Sequence, residues 1–171
     1  HAQEYGLVYR SRPPYEVMAS KWVSYDEMLE IRLVEEMLEL HYNSGQFLTY
    51  LAVLEWKYDS TFQMFLDMGH FYREHGYLDC SHSRVRRTEI VQEFAEIVDP
   101  ERRDIYREAL IFDLYKIEKS KSRPFWAKNV QQDKRQTGKY LREHGMEKKY
   151  CHFEYFEHIN EKGEITEEKD P

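Results

Sequence analysis

Residues 24–45, SYDEMLEIRLVEEMLELHYNSG, decide the fold. Ser24 and Glu27 stand at capping-box spacing, in which hydroxyl and carboxylate satisfy free backbone N–H groups at a helix start. Met28, Ile31, Val34, Met37, Leu38 and His41 then recur every three or four residues, the period of one helix face. Asn43, Ser44 and Gly45 close the run, because Asn and Gly accept the left-handed backbone of a helix terminus.

The same grammar continues downstream. A second helix is predicted with Phe47, Tyr50, Leu51, Leu54 and Tyr58 on one face. Asp59 or Ser60 caps a third, which carries Phe62, Phe65, Leu66 and Tyr72 and stops at Gly76. Ser81 or Ser83 starts a fourth with Val91, Phe94, Ala95 and Val98 inward. Asp99-Pro100-Glu101 combines a cap, a proline at the first helical position and an acid in the first turn, and opens a fifth helix that runs to about Ser120. A more polar helix is expected over 129–144. From Tyr150 the period changes to alternation at Phe153 and Tyr155, with Ile159 beyond, and Glu161-Lys162-Gly163-Glu164 reads as a turn, so a terminal β-hairpin is expected. Upstream of Trp22 no helical period exists, and Arg12-Pro13-Pro14 imposes extended backbone. The expected fold is mainly α: a bundle of five or six helices (23–145) with an extended N-terminal arm (1–22) and a C-terminal hairpin and acidic tail (146–171).

A chain of 171 residues with 41% hydrophobic and 15% aromatic side chains can bury a core without disulfides or metal. Only 2 cysteines and 7 glycines occur. They leave no CxxC pair, no phosphate-cradling glycine loop, no HExxH and no GxSxG, so a complete enzyme is not expected. No apolar run is long enough to span a membrane, and the first residues are too polar for a secretory signal. A cytoplasmic protein is expected, and a start at His1 suggests a piece of a longer chain or a residual tag residue at the front.

The net charge of -7 is unevenly spread. Residues 1–115 hold 12 basic and 21 acidic side chains, residues 116–149 hold 11 and 4, and the rest hold 2 and 7. The basic stretch either pairs with acidic faces of its own domain or receives an anionic ligand or acidic partner; Arg10, Arg12, Arg123, Lys128, Lys134 and Arg135 would form its rim near Phe125 and Trp126. Two groups carry metal-ligand residue types. His70, His75, Cys80 and His82 surround a helix end, where His75 also suits the helix dipole. Cys151, His152, Glu154 and His158 lie close in sequence, but strand spacing would part His152 from His158 by roughly 20 Å. Neither group is expected to bind metal.

One stretch is more specific. Glu4-Tyr5-Gly6-Leu7-Val8-Tyr9-Arg10-Ser11-Arg12-Pro13-Pro14-Tyr15-Glu16-Val17 resembles the segment that follows the catalytic barrel in radical S-adenosylmethionine proteins with an N-terminal cobalamin-binding domain. The likeness continues through Trp22, Ser24–Glu27, Glu35–Leu40 and Tyr42–Phe47 to Arg123-Pro124-Phe125-Trp126. It points to that family's C-terminal domain of unknown function, in proteins described as iron–sulfur oxidoreductases and relatives of the anaerobic magnesium-protoporphyrin IX monomethyl ester oxidative cyclase. The resemblance implies a parent oxidoreductase or methyltransferase with a [4Fe–4S] cluster, S-adenosylmethionine and cobalamin. This chain has neither the three-cysteine loop nor an Asp-x-His-x-x-Gly pattern, so no catalytic, cofactor-binding or metal-ligating residue carries over. The family gives this domain no assigned role; on physical grounds it is expected to be an accessory domain that covers or buttresses the barrel of the same polypeptide, without nucleic acid or membrane. Candidate contacts are Tyr5, Tyr9, Arg10, Pro13, Pro14, Tyr15 and Trp22 on the arm, and Tyr42, Asn43 and Phe47 at the corner between the first two helices.

Overall fold

The computed structural model describes residues 4–117, 120–127, 134–147, 151–160 and 162–166. The capping box at Ser24 is formed, with the Glu27 backbone N–H donating to Ser24 Oγ and the Ser24 N–H donating to the Glu27 carboxylate. Helix α1 (Tyr25–Met37) follows and passes directly into a π-helical stretch, Leu38–Asn43. Val34, Met37 and His41 face inward as their spacing predicts, while Ile31 is exposed and Leu33 takes its place in the core.

Helix α2 (Leu48–Leu54) is short and ends in a 3-10 turn at Glu55–Lys57. Helix α3 (Thr61–Glu74) is capped by Ser60, and helix α4 (Arg84–Val98) by Ser83. A 3-10 turn at Pro100–Arg102 leads into helix α5 (Arg103–Ile117), and helix α6 spans Lys134–Glu143. Asp99 stands at the expected cap position, but its carboxylate turns away from the backbone and accepts from the Tyr106 hydroxyl (2.8 Å) and Arg102 Nη1 (3.1 Å).

Helix α1 packs on α3, while α2 and α4 both pack on α5. The core between them holds Met37, Tyr50, Leu54, Met64, Met68 and Ile90, none measurably exposed. Each such side chain contributes roughly 1.5–3 kcal/mol of transfer free energy. Gly69 explains how closely α1 and α3 approach: a Cβ there would lie 2.5 Å from Leu33 Cγ.

The start of α2 carries no local side-chain cap, since Phe47 occupies that position. Its free amides are met from α5 instead. The buried Asp113 carboxylate accepts from the N–H groups of Thr49 (3.2 Å) and Tyr50 (3.0 Å). Burial raises the Asp113 pKa, and these hydrogen bonds offset part of that rise.

The N-terminal flank is extended, as expected, but pairs with itself, and the C-terminal flank departs from expectation. The N-terminal arm is a small antiparallel hairpin, with β1 (Val8–Tyr9) pairing β2 (Val17–Ala19) and Val8 opposite Ala19. Its Pro13-Pro14 turn, which forbids helix, also reverses the chain, so that the Arg10 N–H donates to the Glu16 carbonyl. Among the described residues, the expected C-terminal hairpin reduces to its tip, a bridge between Ile159 and Ile165. Phe153 and Tyr155 join no ladder, because the backbone here is claimed by α5: the N–H groups of Glu157 and His158 donate to the Glu108 carboxylate. Ile159 is buried in the core, and Gly163, at φ +83°, passes so close to Phe112 that a Cβ would lie 2.5 Å from its ring. Tyr150 and the start of the helix expected over 129–144 lie outside the described residues.

Candidate functional site

Two regions gather the side chains that sequence reasoning singled out. The first is the N-terminal hairpin. Glu16 pairs with Arg32 of α1 at 2.8 Å, and Arg32 Nη2 also donates to the Val17 carbonyl at 3.3 Å. These contacts lay the hairpin on the helix face that carries Tyr25, Leu29 and Arg32, since residues four and seven apart share a face. Tyr9, Tyr15 and Trp22 are 48%, 69% and 63% exposed, and Val8, Tyr25 and Leu29 are exposed beside them. Trp22 stands 5.6 Å from the Tyr5 ring, with Lys21 Nζ 4.5 Å from its own centroid. Arg10, Pro13 and Pro14 are exposed on the hairpin turn. Seven candidate contacts thus lie on the hairpin and its flanks.

The other three divide. Tyr42 and Asn43 are exposed, but they lie at the far end of the α1 and π-helical run, roughly 25 Å from Tyr25 at helical rise. The Asn43 amide is tied to Glu39 at 2.6 Å. Phe47 is a core residue, packed edge-on against His41, so it cannot serve as a docking contact.

The second region is a cavity of about 190 Å³ between α5 and the C-terminal segment. Arg107, Glu108 and Ile111 of α5 form one wall, and Trp126 and the 154–158 backbone form the others. Glu154 is the hub beside it, accepting from the Arg123 guanidinium and the His152 ring. His152 stacks on Tyr115, with centroids 3.6 Å apart. His158 turns the other way, its Nδ1 lying 3.1 Å from Glu108. The basic stretch thus supplies Arg123 to an internal pair, as one of its two readings predicts. Arg10, Arg12 and Arg135 are exposed elsewhere on the surface, while Lys128 and the Lys134 side chain lie outside the described residues.

The histidines around the end of α3 are held by backbone. His75 takes the C-cap position and donates Nδ1–H to the Phe71 carbonyl at 2.8 Å. His82 Nε2 lies 2.9 Å from the Tyr77 carbonyl and 3.7 Å from Cys80 Sγ. Among the described residues, no three His, Cys, Asp or Glu side chains converge as a metal site. No helix among them is long and apolar enough to cross a membrane.

Sequence reasoning missed two features. Asp113 is one, because a cap supplied from α5 leaves no local pattern; the signal was the non-capping Phe47 at a helix start. His41 is the other: its inward placement was expected, but not that both ring nitrogens would lie buried without a hydrogen-bond partner. It sits edge-on to Phe47 and Tyr72, and burial lowers its pKa to about 3, with the positive charge of Arg87 adding to the effect.

Residues 3–169 match the family described as protein of unknown function (DUF4080), and the chain belongs to that family. No curated protein and no solved structure matches it.

Proposed function

We propose that this member of the DUF4080 family is a non-catalytic accessory domain of a cytoplasmic radical S-adenosylmethionine, cobalamin-binding iron–sulfur enzyme. In this reading it docks through its N-terminal hairpin on the catalytic barrel of the same polypeptide. The observation that carries the docking is the exposure of Tyr9, Tyr15 and Trp22 on a hairpin that Arg32 ties to α1. Large apolar side chains left in water mark an interaction surface. The enzyme assignment rests on the resemblance of residues 4–17. With two cysteines, this chain cannot supply a three-cysteine cluster loop, so the cluster and the radical chemistry belong to the barrel. The domain would shield the barrel mouth from water.

The test begins with the coding frame upstream of His1, where the reading expects a barrel with a three-cysteine loop. A photo-crosslinking residue is then placed at Tyr15 of that full polypeptide. Crosslinks should map to the barrel; crosslinks confined to the helical body, or an upstream frame without the loop, overturn the reading. Calorimetric titration of S-adenosylmethionine into the 171-residue chain should show no binding, and tight binding would refute an accessory role.

A further inference from the structure

A second cavity, of about 750 Å³, opens between α6 and the C-terminal segment, lined by Thr137 and Tyr140 of the helix and by Cys151 and Phe153 of the segment. Tyr140 and Phe153 meet edge-on, with ring centroids 6.1 Å apart. Gly145, at φ +61°, ends α6, and the Met146 N–H donates back to the Leu141 carbonyl at 2.9 Å. This closure fixes Met146 just past the helix end. Its side chain lines the same cavity as Cys151, and the Cys151 thiol donates to Met146 Sδ at 3.9 Å. Both sulfur-bearing side chains can be reached from solvent, since Met146 is 48% exposed and Cys151 is half-buried.

The spacing of the two sulfurs suits a shared ion. Metal–sulfur bonds run roughly 2.3 Å. At that length, a 3.9 Å separation gives a sulfur–metal–sulfur angle of about 116°, close to trigonal. The donor types also select the ion. Thiolate and thioether are soft ligands that favour Cu(I), whereas zinc sites are built from Cys, His and carboxylate. Among the described residues, no three His, Cys, Asp or Glu side chains converge. Glu154, the carboxylate in this wall, already accepts from Arg123 and His152.

We propose that Cys151 and Met146 form a binding site for Cu(I), with the third coordination position open to the cavity. On binding, the Cys151 S–H bond breaks, Sγ and the Met146 Sδ lone pair bond to the ion, and one proton leaves to solvent. The oxidation state of the ion does not change. The site is independent of the docking hairpin, so failure of either leaves the other standing.

The test uses the 171-residue chain carrying Cys80→Ser throughout, because Cys80 is the other thiol and is exposed. Cu(I) is delivered without oxygen as its coloured bicinchoninate complex, and loss of colour reports transfer to the protein. One ion per chain should transfer, with release of one proton. X-ray absorption at the copper edge should then show two sulfur neighbours at roughly 2.3 Å. Adding Met146→Leu should remove one of those neighbours and weaken binding by at least about tenfold, and Cys151→Ser should weaken it further. Zn(II), competed against a coloured chelator, should bind more weakly than Cu(I). Circular dichroism identifies any variant that fails to fold, and the sulfur count at the unsubstituted pair needs neither variant. A single sulfur neighbour there overturns the proposal, since it would mean an adventitious ion on one thiol. So does Met146→Leu binding Cu(I) undiminished, or Zn(II) binding as tightly as Cu(I).

Discussion

Trp22 in the N-terminal hairpin is 63% exposed, whereas Ile159 in the C-terminal segment is 5% exposed and part of the core. Among the described residues neither flank is helical, and both carry bulky apolar side chains. Arg32 ties the hairpin to the body through an exposed ion pair and a side-chain-to-carbonyl bond, while Tyr9, Tyr15 and Trp22 stay exposed. The C-terminal segment is held by two amides on Glu108, by Gly163 against Phe112 and by Ile159. One flank completes the domain, and the other keeps a surface for something else.

The sharpest way to break this contrast is to truncate both sides. Ile159→Ala should cost about 2–4 kcal/mol in chemical denaturation, as a buried aliphatic truncation does. Trp22→Ala should stay within about 0.5 kcal/mol, the usual range for an exposed site. Equal losses would mean that the hairpin is structural and would remove the basis for docking.

Acid acts on the body beneath both flanks. With the folded His41 pKa lowered to about 3, the unfolded chain takes up a proton below pH 6.5 that the folded chain refuses. Stability from this group is intact above pH 6.5 and falls as pH drops toward 3, by at most ~1.4 kcal/mol per pH unit. Denaturation midpoints measured between pH 7 and 4 should show this slope, and His41→Leu should flatten it. Near-ultraviolet signals from the two flanks should weaken together.

The smallest effect is expected at the tether. Arg32→Ala should lower global stability by less than ~1 kcal/mol, because Glu16 and Arg32 are both substantially solvated. Hydrogen exchange at the Arg10 amide, which donates to Glu16, should nevertheless accelerate while amides of α3 and α5 keep their protection.

Much of the helical body was legible because its signals are local. The Ser24 box, the Ser60 and Ser83 caps, and the apolar periods of α3 and α4 each act within one or two turns. Reading failed where a partner is distant. Nothing beside Glu157 announces that Glu108 of α5 will take its amide, so alternation suggested a strand where, among the described residues, only the Ile159–Ile165 bridge forms. Prolines 13 and 14 excluded helix correctly, but pairing between Val8 and Ala19 depends on residues either side of the turn. Among the candidate contacts, the placement of Tyr9, Tyr15 and Trp22 outside the core was legible, since no helical period runs through them. Phe47 was not, because the same aromatic character serves a core equally well. The cavity was invisible: Trp126 and Arg107 meet only through tertiary structure.

The cap that Asp113 places on α2 bears on the order of events during synthesis. The two amides it receives lie 64 and 63 residues earlier in the chain. A seven-residue helix is too short to persist alone, and this one lacks a local acceptor at its start. As the chain leaves the ribosome, α2 must wait until α5 has emerged before its first turn is satisfied. The central pair of helices is thus a long-range contact that closes late, and α1 with α3 is free to form first.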